Sequence, residues 1–340
     1  MELSSILFTA VNAVLPIVLL ILLGYWLKER QFISEEFVKI GNKLVFNVCL
    51  PCMLFANVYE IESIEGIRWD AVIYCCLLIF VIFLIGTVLA LISTPEPKRR
   101  GVIAQSAFRS NMAIIGLALA ASLGGQDAIA VAAVVSAFTV PVFNILAVVS
   151  LSMFVRQERG QNRLLGVLKR IATNPLILGI AAGMVCLLLR QLQVTVFGAS
   201  VFLISRDLKF IYTAVSNLGK ITSPFALIVL GGQFTFSAVR ELRKEILVGT
   251  LSRIIIAPVL GIGTAVVLGL AGVLDFDASV YPALIAVFGS PTAVSSAIMA
   301  RQMNHDEQLA TQLVVWTSIG SIFTIFITVC VLMAMGLLIV

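Results

Sequence analysis

Charged residues and histidine are scarce in this sequence. Of its 340 residues, 12% are charged and 60% are hydrophobic, against roughly 25% charged in soluble domains. A soluble fold cannot bury so much apolar surface, so lipid must cover it. The single histidine, His305, is expected to be solvated in a loop. Because a catalytic triad and a zinc site both lack parts, we predict no enzyme activity, no metal and no cofactor.

Cysteine is also sparse, with six residues, all within apolar stretches. Cys49 and Cys52 form a Cys-x-x-C motif, a spacing found in redox pairs and zinc sites. No second such motif is present in the sequence. Buried cysteine packs like a small hydrophobic residue, and we interpret the pair in that way.

Ten long apolar stretches fill most of the chain. Each has about the 20 residues that a membrane-spanning helix needs, and the gaps between them are short and polar. The sequence therefore predicts an all-α membrane protein with ten transmembrane helices, at 6–28, 37–60, 70–93, 101–124, 127–155, 172–194, 207–236, 246–272, 279–303 and 308–338.

Basic residues separate onto two sets of loops. The loops that follow the odd-numbered stretches carry 14, namely Lys28, Arg30, Lys98, Arg99, Arg100, Arg156, Arg159, Arg163, Lys169, Arg170, Arg240, Arg243, Lys244 and Arg301. The remaining loops carry four: Arg68, Arg190, Arg206 and Lys209. Positive charge stays cytoplasmic, so we predict a multi-pass protein of the cell (inner) membrane with both termini non-cytoplasmic. This separation by membrane face accounts for the net charge of +5. We therefore predict the lipid bilayer as a partner and no binding of nucleic acid.

The two halves of the chain resemble each other. The matched pairs are Pro16 with Pro175, Pro51 with Pro224, Phe108 with Phe288, and Ser110 with Ser290. Five helices per half is an odd number, so the halves must enter the membrane from opposite sides, as in many secondary transporters. We predict two inverted five-helix repeats, 1–155 and 172–340, joined by a basic cytoplasmic linker, 156–171. Scaffold and transport subdomains would form across both repeats.

The fourth and ninth stretches have polar and small residues at their centres. These are Gln105, Ser106, Arg109, Ser110, Asn111 and Gly116 in the fourth, and Gly289, Ser290, Pro291, Thr292, Ser295 and Ser296 in the ninth. Polar residues are costly in lipid, and a broken helix is tolerated where it lines a cavity. The N-termini of half-helices also attract anions. We predict broken crossing helices that form a substrate site. Close helix packing is the alternative, and we prefer it for Gly179 and Gly183.

Buried charge in the membrane is positive. All 18 acidic residues lie in loops or near the ends of stretches, which argues against an antiporter built on an intramembrane aspartate pair. Lys43 and Arg253 are expected to extend to an interface. Arg109 and Lys220 lie deeper and have no acidic partner. An anionic substrate, or for lysine the loss of a proton, would compensate their charge, and this favours an organic anion as cargo.

Lys220 also has a predicted role in ion coupling. It precedes Pro224 by four residues, as Asn47 precedes Pro51, so both should lie beside the crossing. A lysine there would take the place of a coupling sodium ion, which predicts sodium-independent transport. The alternative is that Lys220 lies near the outer interface.

Six segments together resemble the auxin efflux carrier family, PIN-like proteins that include bacterial malate or malonate permeases. They are LPIVLLILLGYWLKERQFIS, NKLVFNVCLPCMLF, FRSNMAIIGLAL, NPLILGIAAG, SPFALIVLGG and SPTAVSSAIMARQM. The resemblance implies crossing helices, elevator-type alternating access, often a homodimer, and Asn111 close to the substrate carboxylate. Ala118 and Ser296 stand where the family usually has crossing prolines, so we expect unwinding at Gly116, Ser295 and Ser296.

The function that follows is secondary active or facilitated transport of small organic anions such as malate, malonate or auxin-like acids. The alternative is a membrane receptor or regulator that keeps this fold without transport, and the intact polar crossing favours transport. The predicted substrate-binding residues are Asn47, Arg109, Ser110, Asn111, Gly116, Asn144, Ser290, Pro291, Thr292, Ser295 and Ser296.

The topology can be tested with reporter fusions. A reporter at residue 160 should give a cytoplasmic signal and one at the C-terminus a non-cytoplasmic signal, because the basic loops stay inside. Alkaline phosphatase and a fluorescent protein, active on opposite sides, would measure this. Equal signals at the two sites would contradict the arrangement of ten helices.

Overall fold

The computed structural model describes residues 3–60, 68–154, 169 and 172–338, and within these ranges the regular elements are helices. We number the main helices α1 (Leu3–Glu29), α2 (Glu35–Tyr59), α3 (Trp69–Ser93), α4 (Pro97–Phe108), α5 (Leu117–Ser152), α6 (Pro175–Phe197), α7 (Lys209–Gln233), α8 (Arg243–Leu270), α9 (Val280–Gly289), α10 (Ser295–Gln302) and α11 (Glu307–Ala334). The predicted linker, 156–171, lies outside the described residues except for Lys169.

Seven of the described helices are long and apolar enough to cross a membrane: α2, α3, the part of α5 from Asp127 to Ser152, α6, α7, α8 and α11. The prediction of an all-helical, multi-pass membrane protein is therefore confirmed, while the count of ten spanning helices and the inverted repeat stay predictions. The fourth and ninth stretches do not form single long helices. They divide into shorter pieces, of which α4 has 12 residues and α10 has 8.

A glycine separates the two parts of α5. Gly125 has φ 63° and ψ −151°, in the left-handed half of φ space that glycine enters without the steric cost of a side chain. The chain therefore changes direction there. The first part of α5 completes the fourth apolar stretch, and the second part is the fifth.

Small residues bring several helices into backbone contact. A Cβ atom at Gly231 of α7 would lie 2.0 Å from the Ile21 carbonyl oxygen of α1, and one at Gly179 of α6 would lie 2.5 Å from the Pro51 carbonyl oxygen of α2. A Cβ at Gly183 would lie 2.8 Å from Val58. The interpretation of Gly179 and Gly183 as packing residues is confirmed, because no side chain fits between these helices.

Contacts between loops group them into two sets. Arg68, before α3, pairs with Asp277, before α9. Arg99, in the first turn of α4, pairs with Glu245 at 2.9 Å and with Asp306 at 3.0 Å. Hydrogen bonds from Ser279, then from Arg68, lower the pKa of Asp277. Each pairing joins loops predicted to share a membrane face, and which face is cytoplasmic stays a prediction.

His305 is buried, so the prediction of a solvated histidine is wrong. One ring nitrogen lies 3.0 Å from the Lys98 carbonyl oxygen and the other 2.6 Å from the Leu151 carbonyl oxygen. The imidazole thus joins the start of α4 to the end of α5. The loop that carries it folds back against these helices, which its sequence alone does not reveal.

Candidate functional site

Two interruptions in the helices meet at the centre of the structure. The first, residues 109–111, separates α4 from a wide helical turn, Met112–Gly116, that leads into α5. The second, residues 290–294, separates α9 from α10. Ser290 has extended backbone angles, as expected for a residue before proline.

The two interruptions pair with each other. Ser110 and Thr292 form an antiparallel β-bridge, and the Asn111 N–H donates to the Pro291 carbonyl oxygen at 2.8 Å. Backbone groups that left a helix thereby find partners without water, which a membrane interior requires.

The unwound residues differ from the prediction. Gly116 belongs to the wide helical turn after the first interruption, and Ser295 and Ser296 begin α10. The prediction of unwinding at these three residues is therefore wrong, because the unwound residues, 109–111 and 290–294, precede them. Pro291 helps to end α9. The fourth stretch contains no proline, and there the pairing between the two interruptions stabilises the unwound backbone instead.

Arg253 of α8 holds the ends of both incoming helices. Its side chain is 0% exposed. It donates to the Ser290 and Val287 carbonyl oxygens at 2.8 Å each, and to those of Phe108 at 3.0 Å and Ala107 at 3.4 Å. These acceptors lie at the C-terminal ends of α4 and α9, where helix carbonyls lack partners and the helix dipole is negative. The guanidinium is therefore satisfied by backbone alone.

The prediction that Arg253 extends to an interface is wrong. Helix α8 begins at Arg243, so residue 253 lies about 15 Å along it, near the middle of a hydrocarbon core of about 30 Å. Lys43 of α2, by contrast, has an exposed side chain.

Arg109 has a different environment, although it is 2% exposed. Its guanidinium donates to the Asn144 side-chain oxygen at 2.8 Å and the Ser295 hydroxyl at 2.9 Å. It also contacts the Gln105 side-chain oxygen at 3.5 Å and the Met299 sulfur. All four partners are neutral, and among the described residues no carboxylate is paired with it. Arginine keeps its proton, so a positive charge remains without a counter-charge.

A small cavity lies against Arg109, with a volume of about 40 Å³. That is room for about three waters, or for one carboxylate group. It is lined by Leu50, Met53, Leu54, Arg109, Ser110, Asn111, Val140, Phe143, Asn144, Thr222, Ser223, Ala226, Ala293, Val294 and Ser295.

Asn111 lines the cavity and carries an unpaired hydrogen-bond donor. The residue is 4% exposed, and its side-chain nitrogen has no hydrogen-bond partner. An unpaired buried donor costs about 1–3 kcal/mol, so this nitrogen would gain from an acceptor in the cavity. Since the Asn111 backbone is bonded to Pro291, the point from which the side chain projects is fixed.

Five of the predicted substrate-binding residues line this cavity: Arg109, Ser110, Asn111, Asn144 and Ser295. Six others lie outside its lining: Asn47, Gly116, Ser290, Pro291, Thr292 and Ser296. Of these, Ser290, Pro291 and Thr292 build the pairing that positions the lining residues.

Lys220 and Asn47 do not line the cavity at the crossing. Both side chains are exposed, and the Asn47 amide donates to the Lys43 carbonyl oxygen of its own helix at 2.8 Å. Lys220 does share a helix face with Pro224, as one helical turn requires, but that face is exposed too. Lys220 therefore adds no charge to the lining of the cavity, and its role in ion coupling stays a prediction.

The sequence interpretation missed the walls of the cavity. They come from α2, α5 and α7, and include Leu50, Met53, Leu54, Val140, Phe143, Thr222, Ser223 and Ala226. A signal was present, because Leu50 and Ser223 each precede a proline of the matched pair Pro51 and Pro224. Most of the other wall residues are apolar and do not differ in type from those that face lipid.

Comparison with known proteins identifies related transporters. A family model described as membrane transport protein matches residues 9–329. An uncharacterized transporter of Methanothermobacter thermautotrophicus is 23% identical over 321 residues, which cover 92% of this chain and 95% of the relative. One of Methanocaldococcus jannaschii is 24% identical over 254 residues, covering 73% and 76%.

A solved structure shares the fold. The sodium proton antiporter MjNhaP1 from Methanocaldococcus jannaschii matches with a TM-score of 0.61 over 96% of this chain and 98% of that one. Their sequences are 14% identical, so the likeness shows the fold alone.

Replacing Arg253 should destabilise the protein strongly. In Arg253→Gln the buried carbonyl oxygens of α4 and α9 lose most of their donors, and a loss of about 3–5 kcal/mol is typical when one partner of a buried charged group is removed. Thermal unfolding in detergent would measure it. Arg190→Gln is the control, since Arg190 makes one backbone hydrogen bond, to Tyr59 at 3.3 Å. Equal melting temperatures for the two variants would contradict this role of Arg253.

Proposed function

The chain belongs to the membrane transport protein family, the auxin efflux carrier family that its sequence motifs indicated, and on this premise we propose that it carries small organic anions as a secondary transporter or facilitator. The observation that carries the proposal is Arg109, a buried positive charge with neutral partners that lines a cavity. An anion in the cavity would supply the missing negative charge. A carboxylate has the size and the acceptors that fit.

The carboxylate would contact Asn111 directly. Its oxygen would accept from the free side-chain nitrogen, in a charge-assisted hydrogen bond that is stronger than a neutral one. Arg109 would contribute electrostatic potential while it stays bonded to Asn144 and Ser295. The first turns after both interruptions direct their helix dipoles toward the same place and add to the attraction.

The position of the cavity supports elevator-type movement. It lies between the paired interruptions on one side and α2 and α7 on the other. Helices α2 and α7 are held to α6 and α1 by close glycine contacts. We propose that α4, α5, α9 and α10 carry the bound anion past this scaffold. A homodimer in the inner membrane with non-cytoplasmic termini completes the proposal.

We further propose that transport does not depend on sodium. Among the described residues that line the cavity there is no aspartate or glutamate to bind a cation. The crossing instead contains Arg109 and Arg253, and like charges a few ångströms apart cost several kcal/mol in a protein interior. This replaces the argument from Lys220.

Replacing Asn111 by alanine should weaken carboxylate binding by one to two orders of magnitude. A hydrogen bond to a charged group contributes about 1.5–3 kcal/mol, which corresponds to that range of affinity. A thermal-shift screen of malate, malonate, longer dicarboxylates, indole acids and short monocarboxylates first identifies the acid that raises the melting temperature most. Calorimetry on purified protein then measures the affinity for that acid. Arg109→Gln should also lose affinity, and Arg190→Gln should not.

The same acid, labelled, is then followed into proteoliposomes with choline in place of sodium. Uptake by the wild type that is lost in Asn111→Ala is the expected result. Unchanged affinity in Asn111→Ala would remove this residue from the site. Binding without any flux in either direction would favour the receptor over the transporter.

A further inference from the structure

The cavity beside Arg109 carries one positive charge, and most of the α2, α5 and α7 residues that line it are apolar. From this we infer that the cargo is a short aliphatic monocarboxylate, and that dicarboxylates are bound much more weakly. The inference rests on the proposed function and narrows its substrate class.

Charge is the first step of the argument. Among the described residues that line the cavity, Arg109 is the one charged side chain. Arg253 is turned to backbone carbonyls, and Lys43 and Lys220 are exposed. A second carboxylate would therefore be taken out of water without a cation to pair with. Burying an unpaired ionised group is costly, so a dianion should be disfavoured.

The walls are the second step. The apolar residues of these walls are Leu50, Met53 and Leu54 of α2, Val140 and Phe143 of α5, and Ala226 of α7. The Thr222 hydroxyl donates to the Leu218 carbonyl oxygen at 3.1 Å, so its donor is engaged, and Ser223 adds one more hydroxyl to the α7 wall. These mostly apolar walls favour a CH₂ or CH₃ group, which is stabilised by burial, over a second carboxylate.

Size is the third step. A cavity of about 40 Å³ has room for about three waters. It therefore suits a carboxylate with a short chain better than an acid with a two-ring aromatic group. Charge, walls and size together indicate a monocarboxylate at the short end of the aliphatic series.

The test compares acids of equal length. Propionate is matched with malonate, and butyrate with succinate, so each pair differs by one carboxylate. Calorimetry with purified wild-type protein at pH 7.5 measures binding, because protonated short acids cross lipid bilayers unaided and obscure uptake. The monocarboxylate of each pair should bind at least tenfold more tightly.

Equal or tighter binding of malonate or succinate would overturn the inference. If that binding is also lost in Asn111→Ala, the proposed anion site stands and the restriction to monocarboxylates fails. If neither binding nor transport is found for these four acids, for malate or for an indole acid, the proposed function fails as well.

A charge-gain variant tests the physical cause. Ser223→Lys adds a cation on the α7 wall of the cavity and should raise the affinity for succinate relative to butyrate at least tenfold. Thr213→Lys, on an exposed part of the same helix, is the matched control and should leave the ratio unchanged. An unchanged affinity ratio in folded Ser223→Lys would contradict the charge argument. If that variant does not fold, the comparison of monocarboxylate and dicarboxylate binding in the wild-type protein tests the inference alone.

Discussion

A helix that is interrupted inside a membrane leaves backbone N–H and C=O groups without partners, and lipid offers none. Here the two interruptions satisfy part of this need by pairing, at Ser110 and Thr292. The remaining carbonyl oxygens, at the ends of α4 and α9, are bonded by Arg253. This arrangement fixes where the chain unwinds, and therefore which side chains meet at the cavity. The bonds of Arg253 are thus the interaction on which the site depends.

The two buried arginines show how environment separates structural from functional roles. Arg253 is surrounded by backbone carbonyl oxygens, whose negative dipoles compensate its charge. Arg109 is held by neutral side chains and lines a cavity. The first arrangement is complete within the protein. The second lacks a counter-charge, and under the proposed function an anion that binds and leaves would supply it.

Much of this organisation can be predicted from sequence, because polar residues in an apolar stretch mark a place where a helix is broken or charge is needed. That reasoning led to Arg109, Asn111 and the interruptions. It failed for Arg253, which was predicted to extend to an interface because it lies near the end of an apolar stretch. Whether a residue faces an interface or the protein core depends on helix packing, which the distance from the end of a stretch does not reveal. Lys220 shows the same limit: its face was predicted correctly, but that face is exposed. Apolar wall residues such as Leu54 resemble lipid-facing ones in type, so neighbouring structure alone identifies them.

The central claim is that an organic anion places its carboxylate against the free amide nitrogen of Asn111. Solid-state NMR in lipid bilayers can measure this, with ¹³C in the carboxyl group of butyrate and ¹⁵N in the asparagine side chains. The account predicts a carbon–nitrogen distance of about 4 Å, as a hydrogen bond implies, and loss of that signal in Asn111→Ala. No dipolar coupling at saturating butyrate, or coupling that persists in the variant, would contradict it.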